Sequence, residues 1–187
     1  RSLVRFGLLS VAIALLVFLI LFQQSLQSGL ITSFVGAIRN QDAPVLVYSV
    51  DGQRTVQGSA LPPDLEELVA STDEVENTGR WYQGGFTFAP GGDNEAVEGA
   101  LIGFDTAGLG TPRDITSGRL PEATGEGVAS DADAEAGFDI GDVVTITPGD
   151  VDIEIVGLAS DTQLSAGPTV FATDDTYLEA VRAVNPD

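Results

Sequence analysis

From Phe6 to Phe22 the chain reads FGLLSVAIALLVFLILF, with Ser10 its only polar position. As a helix this run is roughly 25 Å long, close to the ~30 Å hydrocarbon core of a bilayer. Leu3 and Val4 before it and Leu26 after it supply the remaining length. A helix buried in a soluble core shows a polar stripe, and this one has none. A cleaved signal core is the competing reading, but Gln23-Gln24-Ser25-Leu26-Gln27 offers no small-x-small cleavage site. The pattern therefore predicts a retained transmembrane helix over residues 1–24.

The period changes beyond the span. Leu26, Leu30, Phe34 and Ile38 recur every four residues, with Ile31, Val35 and Ala37 beside them and Ser28, Thr32, Ser33 and Gly36 opposite. This predicts a helical stalk over residues 25–40, ended by Asp42 and Pro44. Its apolar face packs either on a partner helix or on the chain's own domain. Leu26, Leu30, Phe34 and Ile38 are the candidate interface.

Residues 41–187 read as one mixed α+β domain of short elements. Val45 to Val50 is a β-branched run closed by Asp51-Gly52, a strand signal. Pro62-Pro63-Asp64 opens a short helix with acids at its positive end. Trp81, Phe86 and Phe88 mark a strand region interrupted by Gly84-Gly85, and Ala96 to Phe104 marks another. A loop rich in Gly, Thr and Pro follows, to about Pro121. Glu126 to Ser130 reads as a short strand and Asp131 to Gly137 as a helical turn and a half. Val143 to Thr147 and Val151 to Leu158 form the clearest pair of strands, joined at Pro148-Gly149-Asp150. Thr169 to Ala172 is a last strand, and Thr173 caps a final helix. The sum is seven or eight strands and three short helices.

Charge turns this order into a topology. All eight basic residues are Arg, against 28 acids, for a net charge of −20. Residues 1–40 carry Arg1, Arg5 and Arg39 and no acid, a charge of +3; residues 41–187 carry five Arg and all 28 acids, a charge of −23. Arg1 and Arg5 sit just before the span and no base follows until Arg39. The positive-inside rule then places the N-terminus in the cytoplasm and the acidic domain outside the cell membrane. So acidic a chain is no partner for nucleic acid, since phosphate contacts need clustered bases. The absence of Met suggests a piece of a longer product.

Composition removes most catalytic chemistry. With no His and no Cys, neither a His-based nucleophilic triad nor a thiolate or imidazole metal site can be built. Asp131-Ala132-Asp133-Ala134-Glu135 spaces its carboxylates as a calcium loop does, but Ala136 stands where that loop needs glycine, so it reads as an acid-rich helix start. Gly125-Glu126-Gly127 lacks the third glycine and the helix of a dinucleotide fingerprint. Asp174-Asp175 is adjacency without a site. The sequence thus points to a non-enzyme with no catalytic, cofactor-binding or metal-ligating residues.

Four short motifs follow in order: Gly118-Arg119-Leu120-Pro121, Gly125-Glu126, Gly141-Asp142-Val143-Val144-Thr145-Ile146 and Glu154-Ile155-Val156-Gly157-Leu158. Together they resemble the extracytoplasmic core domain of MacB/FtsX-like permeases, the membrane subunits of type VII ABC transporters. Gly127 departs from the family pattern, which has an apolar strand residue there, so that strand is expected to be short or bulged. The resemblance implies a permease subunit with three further spans beyond Asp187, a cytoplasmic ABC ATPase subunit, a second permease copy and surrounding membrane lipid. It also implies mechanotransmission, in which ATP-driven closure of the ATPases moves the outer domain. The substrate would be an extracytoplasmic protein or a lipid-like molecule. A single-span anchored binding or sensor domain without an ATPase remains the alternative.

Overall fold

In the computed structural model the described residues are 2–50, 59–92, 94–105, 108–164 and 167–185. Helix α1, Ser2–Arg39, runs unbroken through the apolar span and the stalk. At 1.5 Å per residue it is about 57 Å long. It stops three residues before Asp42, the residue expected to end it. Arg5–Leu26, with a mean hydropathy of 2.6, is long and apolar enough to cross a membrane, and none of it is buried in the protein.

Beyond it come α2, Pro63–Ala70, β1, Trp81–Pro90, β2, Val97–Phe104, and β3, Ile115–Gly118. Then follow β4, Glu126–Ser130, a 3-10 turn over Asp131–Ala136, β5, Val143–Thr147, and β6, Val151–Ala159. β7, Thr169–Thr173, leads directly into α3, Asp174–Val184. The Thr173 hydroxyl accepts the Thr176 amide at 3.4 Å, as the cap signal predicts.

The strands form one sheet in the order β3-β6-β4-β7-β2-β1-β5, and β5 also pairs with β6. That last pairing closes six strands into a ring. The length of β6 makes it possible: along one edge its first half meets β5 and its end meets β3, while β4 pairs with the other edge. Pairs β2–β7 and β4–β6 are parallel and the rest antiparallel. The architecture is α+β, as the element pattern predicts.

Both faces of the central strands are buried. Leu101, Val170 and Ala129 join a cluster with Phe88, Phe138, Ile153 and Ile155. Their neighbours Ile102, Phe171 and Val128 turn into a second cluster with Phe104, Ala159 and Ala37 of α1. A sheet covered on both sides explains why β7 is buried at every position.

Three expectations need correction. Residues 45–49 form no strand: Val45, Val47 and Val50 are 73%, 47% and 97% exposed, and no ladder partner lies beside them among the described residues. β-branched residues favour a pleated, half-buried surface, and without a neighbouring strand that preference has nothing to act on. Gly84-Gly85 does not interrupt β1, whose pairing with β2 continues through both residues. The loop to Pro121 contains a strand, β3. The expected bulge is present: the β4–β6 register shifts between Gly127 and Val128. A Cβ on Gly127 would stand 2.8 Å from both Ile153 Cγ2 and Val170 Cγ1, so only glycine fits between those core side chains.

Candidate functional site

The place where α1 enters the domain is built mainly from backbone. At Gly36 the helix lies so close to the loop after β6 that a Cβ would fall 2.4 Å from the Asp161 carbonyl oxygen and 3.0 Å from that of Gln163. The next residue, Ala37, is fully buried and its amide donates to the Gln163 carbonyl at 3.0 Å. One turn on, Asn40 Nδ2 donates to the Asp161 carbonyl at 2.8 Å. Asp161 has φ 51°, a left-handed conformation that aspartate tolerates better than most side chains. Its carbonyl thereby faces the bare Cα of Gly36 and accepts from Asn40.

A second set of bonds follows on the chain leaving the helix. Gln41 makes a bridge with Pro112, the Asp42 amide donates to Thr111 O at 2.9 Å, and the Arg113 amide donates to Asn40 O at 2.8 Å. Arg113 adds an Nη2 bond to Gln41 O at 3.3 Å and an ion pair with Asp42 at 3.7 Å. The Gln41 side chain folds back, accepting from Ala43 N at 2.6 Å and donating to Ala43 O at 2.7 Å. Helix, exit segment and two separate loops are thus fastened together within eight residues. Displacing α1 would have to break these bonds and pull Ala37 out of the second core cluster.

Of the sequence-derived interface, Leu26 and Ile38 have described surroundings. Leu26 is 55% exposed on the free part of the helix. Leu30 and Phe34 lie on the helical backbone, and their side chains fall outside the described residues. Ile38 is half-buried and lines an open hollow of about 410 Å³ with Leu46 and Tyr48. The side that docks on the domain includes Gly36, which the helical wheel assigns opposite the apolar face. Sequence reasoning missed Gly36, Asn40, Asp161 and Gln163 because three of the four act largely through main-chain atoms. A glycine and an alanine in succession at the end of a long helix was the one available sign of close approach.

The four short motifs do converge, around β6. The Gly141 amide donates to Ile155 O at 2.8 Å, the Ile155 amide to Asp142 O at 2.9 Å, the Glu154 amide to Gly125 O at 2.8 Å and the Arg119 amide to Val156 O at 3.1 Å. Across this corner Arg119 grips Glu126 with both terminal nitrogens, at 2.5 and 2.7 Å. Glu126 also accepts the Glu122 and Ala123 amides at 2.9 and 3.2 Å. The motifs are a scaffold, holding the loop before β4 closed. The Arg119 guanidinium and those amides hold the Glu126 carboxyl down to about 2 from the ordinary 4.5. A carboxylate depressed in the fold stabilises it fully above the ordinary value and loses that contribution as pH falls towards about 2. Acid titration of Glu126→Gln should therefore show a flatter loss of stability between about pH 4.5 and 2 than the native protein. An unchanged acid limb would contradict the pairing.

Asp131 and Glu135 face solvent while Asp133 turns inward, and no group of three potential metal ligands is assembled among the described residues. Asp174 and Asp175 occupy the first turn of α3, where the helix dipole favours them.

No family model and no curated protein matches the sequence. The fold does match a solved structure: the periplasmic region of MacB from Actinobacillus actinomycetemcomitans, at a TM-score of 0.51 and 15% identity over 70% of this chain. The domain has a MacB-like fold. The chain spans 63% of the MacB region it matches. The extracellular domain of the ABC-type transporter YknZ from Gram-positive bacteria also aligns, at a TM-score of 0.49 and 14% identity over 62% of this chain and 63% of that one. In the MacB-like domain described here, the closed ring and its β6 corner are the body to which α1 is joined.

Proposed function

We propose that the chain is part of a permease subunit of an ABC transporter, itself non-catalytic, whose outer domain is moved by ATP hydrolysis in a cytoplasmic partner. The observation that carries this reading is α1: one unbroken helix from an apolar span into a domain that it approaches closely at Gly36 and to which the chain is bonded at Ala37, Asn40 and Asp42. A tether needs no such joint, whereas a lever does. The MacB-like fold of the domain supports the same reading.

On this reading residues 1–24 span the cell membrane with the N-terminus in the cytoplasm, 25–40 form the stalk and 41–187 work outside. From Leu26 to Arg39 the helix rises roughly 20 Å, which lifts the domain clear of the lipid. Leu26, Leu30, Phe34 and Ile38 would meet a neighbouring helix of a second permease copy. The substrate would be an extracytoplasmic protein or a lipid-like molecule.

The test is isolation of the full-length gene product from its own membranes. Co-isolation of an ATPase subunit with nucleotide hydrolysis is expected. A chain recovered alone, without hydrolysis, would favour an anchored binding or sensor domain. Within the complex, Leu30→Arg combined with Phe34→Arg should abolish transport-linked work while the domain stays folded by circular dichroism. Native activity in the double variant would sink the stalk assignment.

A further inference from the structure

Behind the joint lies a half-buried acid. Asp133 sits in the middle of the 3-10 turn that follows β4. Its Oδ1 accepts from Gln163 Nε2 at 3.4 Å, and Gln163 is the residue whose carbonyl receives the Ala37 amide. The carboxylate therefore stands directly behind the loop that holds the helix. Its other oxygen, Oδ2, is buried without a hydrogen-bond partner, and so is the hydroxyl of Ser130, a residue only 1% exposed three positions earlier.

Two unsatisfied polar atoms three residues apart are an unusual expense in a folded protein. The cost is greatest when one belongs to an ionised carboxylate, because a buried charge without full solvation draws water in or takes up a proton. A proton on Oδ2 removes the charge and converts an orphaned acceptor into a donor, leaving Oδ1 free to keep its bond from Gln163. We propose that Asp133 is a proton-operated positioning residue: protonated, it holds the Gln163 loop against α1, and ionised, it loosens that hold.

The surroundings favour this behaviour. Burial raises the Asp133 carboxyl above its ordinary value and the charge of Asp131 adds to the effect; the Thr169 backbone and the Gln163 amide oppose it without prevailing. From β4, the loop after β6 and β7 the facing groups are Ser130, Gln163 and Thr169, all neutral, and the acid of that loop, Asp161, is exposed. The acids of β6, Asp152 and Glu154, are exposed, and Asp152 is engaged by Thr145 at 2.6 Å. The sign is opposite to that of Glu126. A carboxyl raised in the fold adds most stability at pH values below its unfolded value, and that contribution fades as pH rises through the folded one. An outer domain in acidified surroundings would grip its membrane helix more firmly than one at neutral pH. This holds for a transporter subunit and for an anchored sensor alike, so its failure would leave the transport reading intact.

The experiment follows the Ala37 amide in the full chain in lipid nanodiscs, as hydrogen-exchange protection corrected for the intrinsic rate. In the native chain protection should fall as pH rises from about 4.5 to about 7.5. Asp133→Asn, neutral and of the same shape, should lose that slope and keep the higher, acid-like protection throughout. Asp133→Ala, which also removes the Gln163 bond, should be poorly protected at every pH. An Asn variant with the native slope, or with protection below native at acid pH, would overturn the proposal.

Discussion

Gly36→Leu is expected to detach the end of α1 from the domain while leaving the sheet folded. The new side chain would begin 2.4 Å from the Asp161 carbonyl oxygen and 3.0 Å from that of Gln163. Both obstacles are main chain, so neither can rotate away, and the helix must move. Forcing extra atoms into a packed contact costs about 1–3 kcal/mol. The Ala37–Gln163 and Asn40–Asp161 bonds go with it, at about 0.5–1.5 kcal/mol each. None of these groups belongs to the strand ladder, so the ring should survive. Arg39 is already exposed; once the joint opens, tryptic cleavage after it should accelerate at least tenfold. Gly7 is the control, because a Cβ there meets nothing within 4 Å. Gly7→Leu should be cleaved at the native rate. Equal rates in the two variants would mean that the close approach at Gly36 carries no load.

Phe171→Ala should do the reverse and destabilise the domain itself. Phe171 is fully buried at the middle of β7, flanked by β2 and β4, and it shares its cluster with Ile102, Phe104, Val128, Ala159 and Ala37. Truncating a phenylalanine in such a site costs about 3–5 kcal/mol, against a total stability of about 5–15 kcal/mol for a typical domain. The urea midpoint, followed by the single Trp81 that packs against the same cluster, should fall by about a fifth or more of its native value. Leu68→Ala, at a position 64% exposed on α2, should shift stability by no more than about 0.5 kcal/mol. If the two substitutions cost alike, the second cluster is not a core.

The contrast between these two sites explains what could be read from residues alone. β6 was legible because Val151, Ile153 and Ile155 alternate with Asp152 and Glu154, and the structure buries the first set and exposes the second. α3 was legible from Thr173 and its two acids. β3 was not: Ile115-Thr116-Ser117-Gly118 is four residues long, mostly exposed, and owes its strand character to pairing with β6. Val45 to Val50 erred in the other direction, having strand composition but no partner. The joint was hidden for a different reason. Its decisive atoms are the carbonyl oxygens of Asp161 and Gln163, which every residue possesses. The four motifs around β6 were visible as a series, and their common role became clear only when Arg119 and Glu126 were seen to close one corner.

Continuity from α1 into the sheet is the claim on which the rest depends, and a distance measurement tests it directly. The chain has no native cysteine, so Leu26→Cys and Glu95→Cys, both at exposed positions, can carry one spin-label pair in the full chain in nanodiscs. A rigid joint predicts one narrow distance distribution, which Gly36→Leu broadens. A broad distribution in the native chain, unaltered by Gly36→Leu, would show that the helix and the domain move independently.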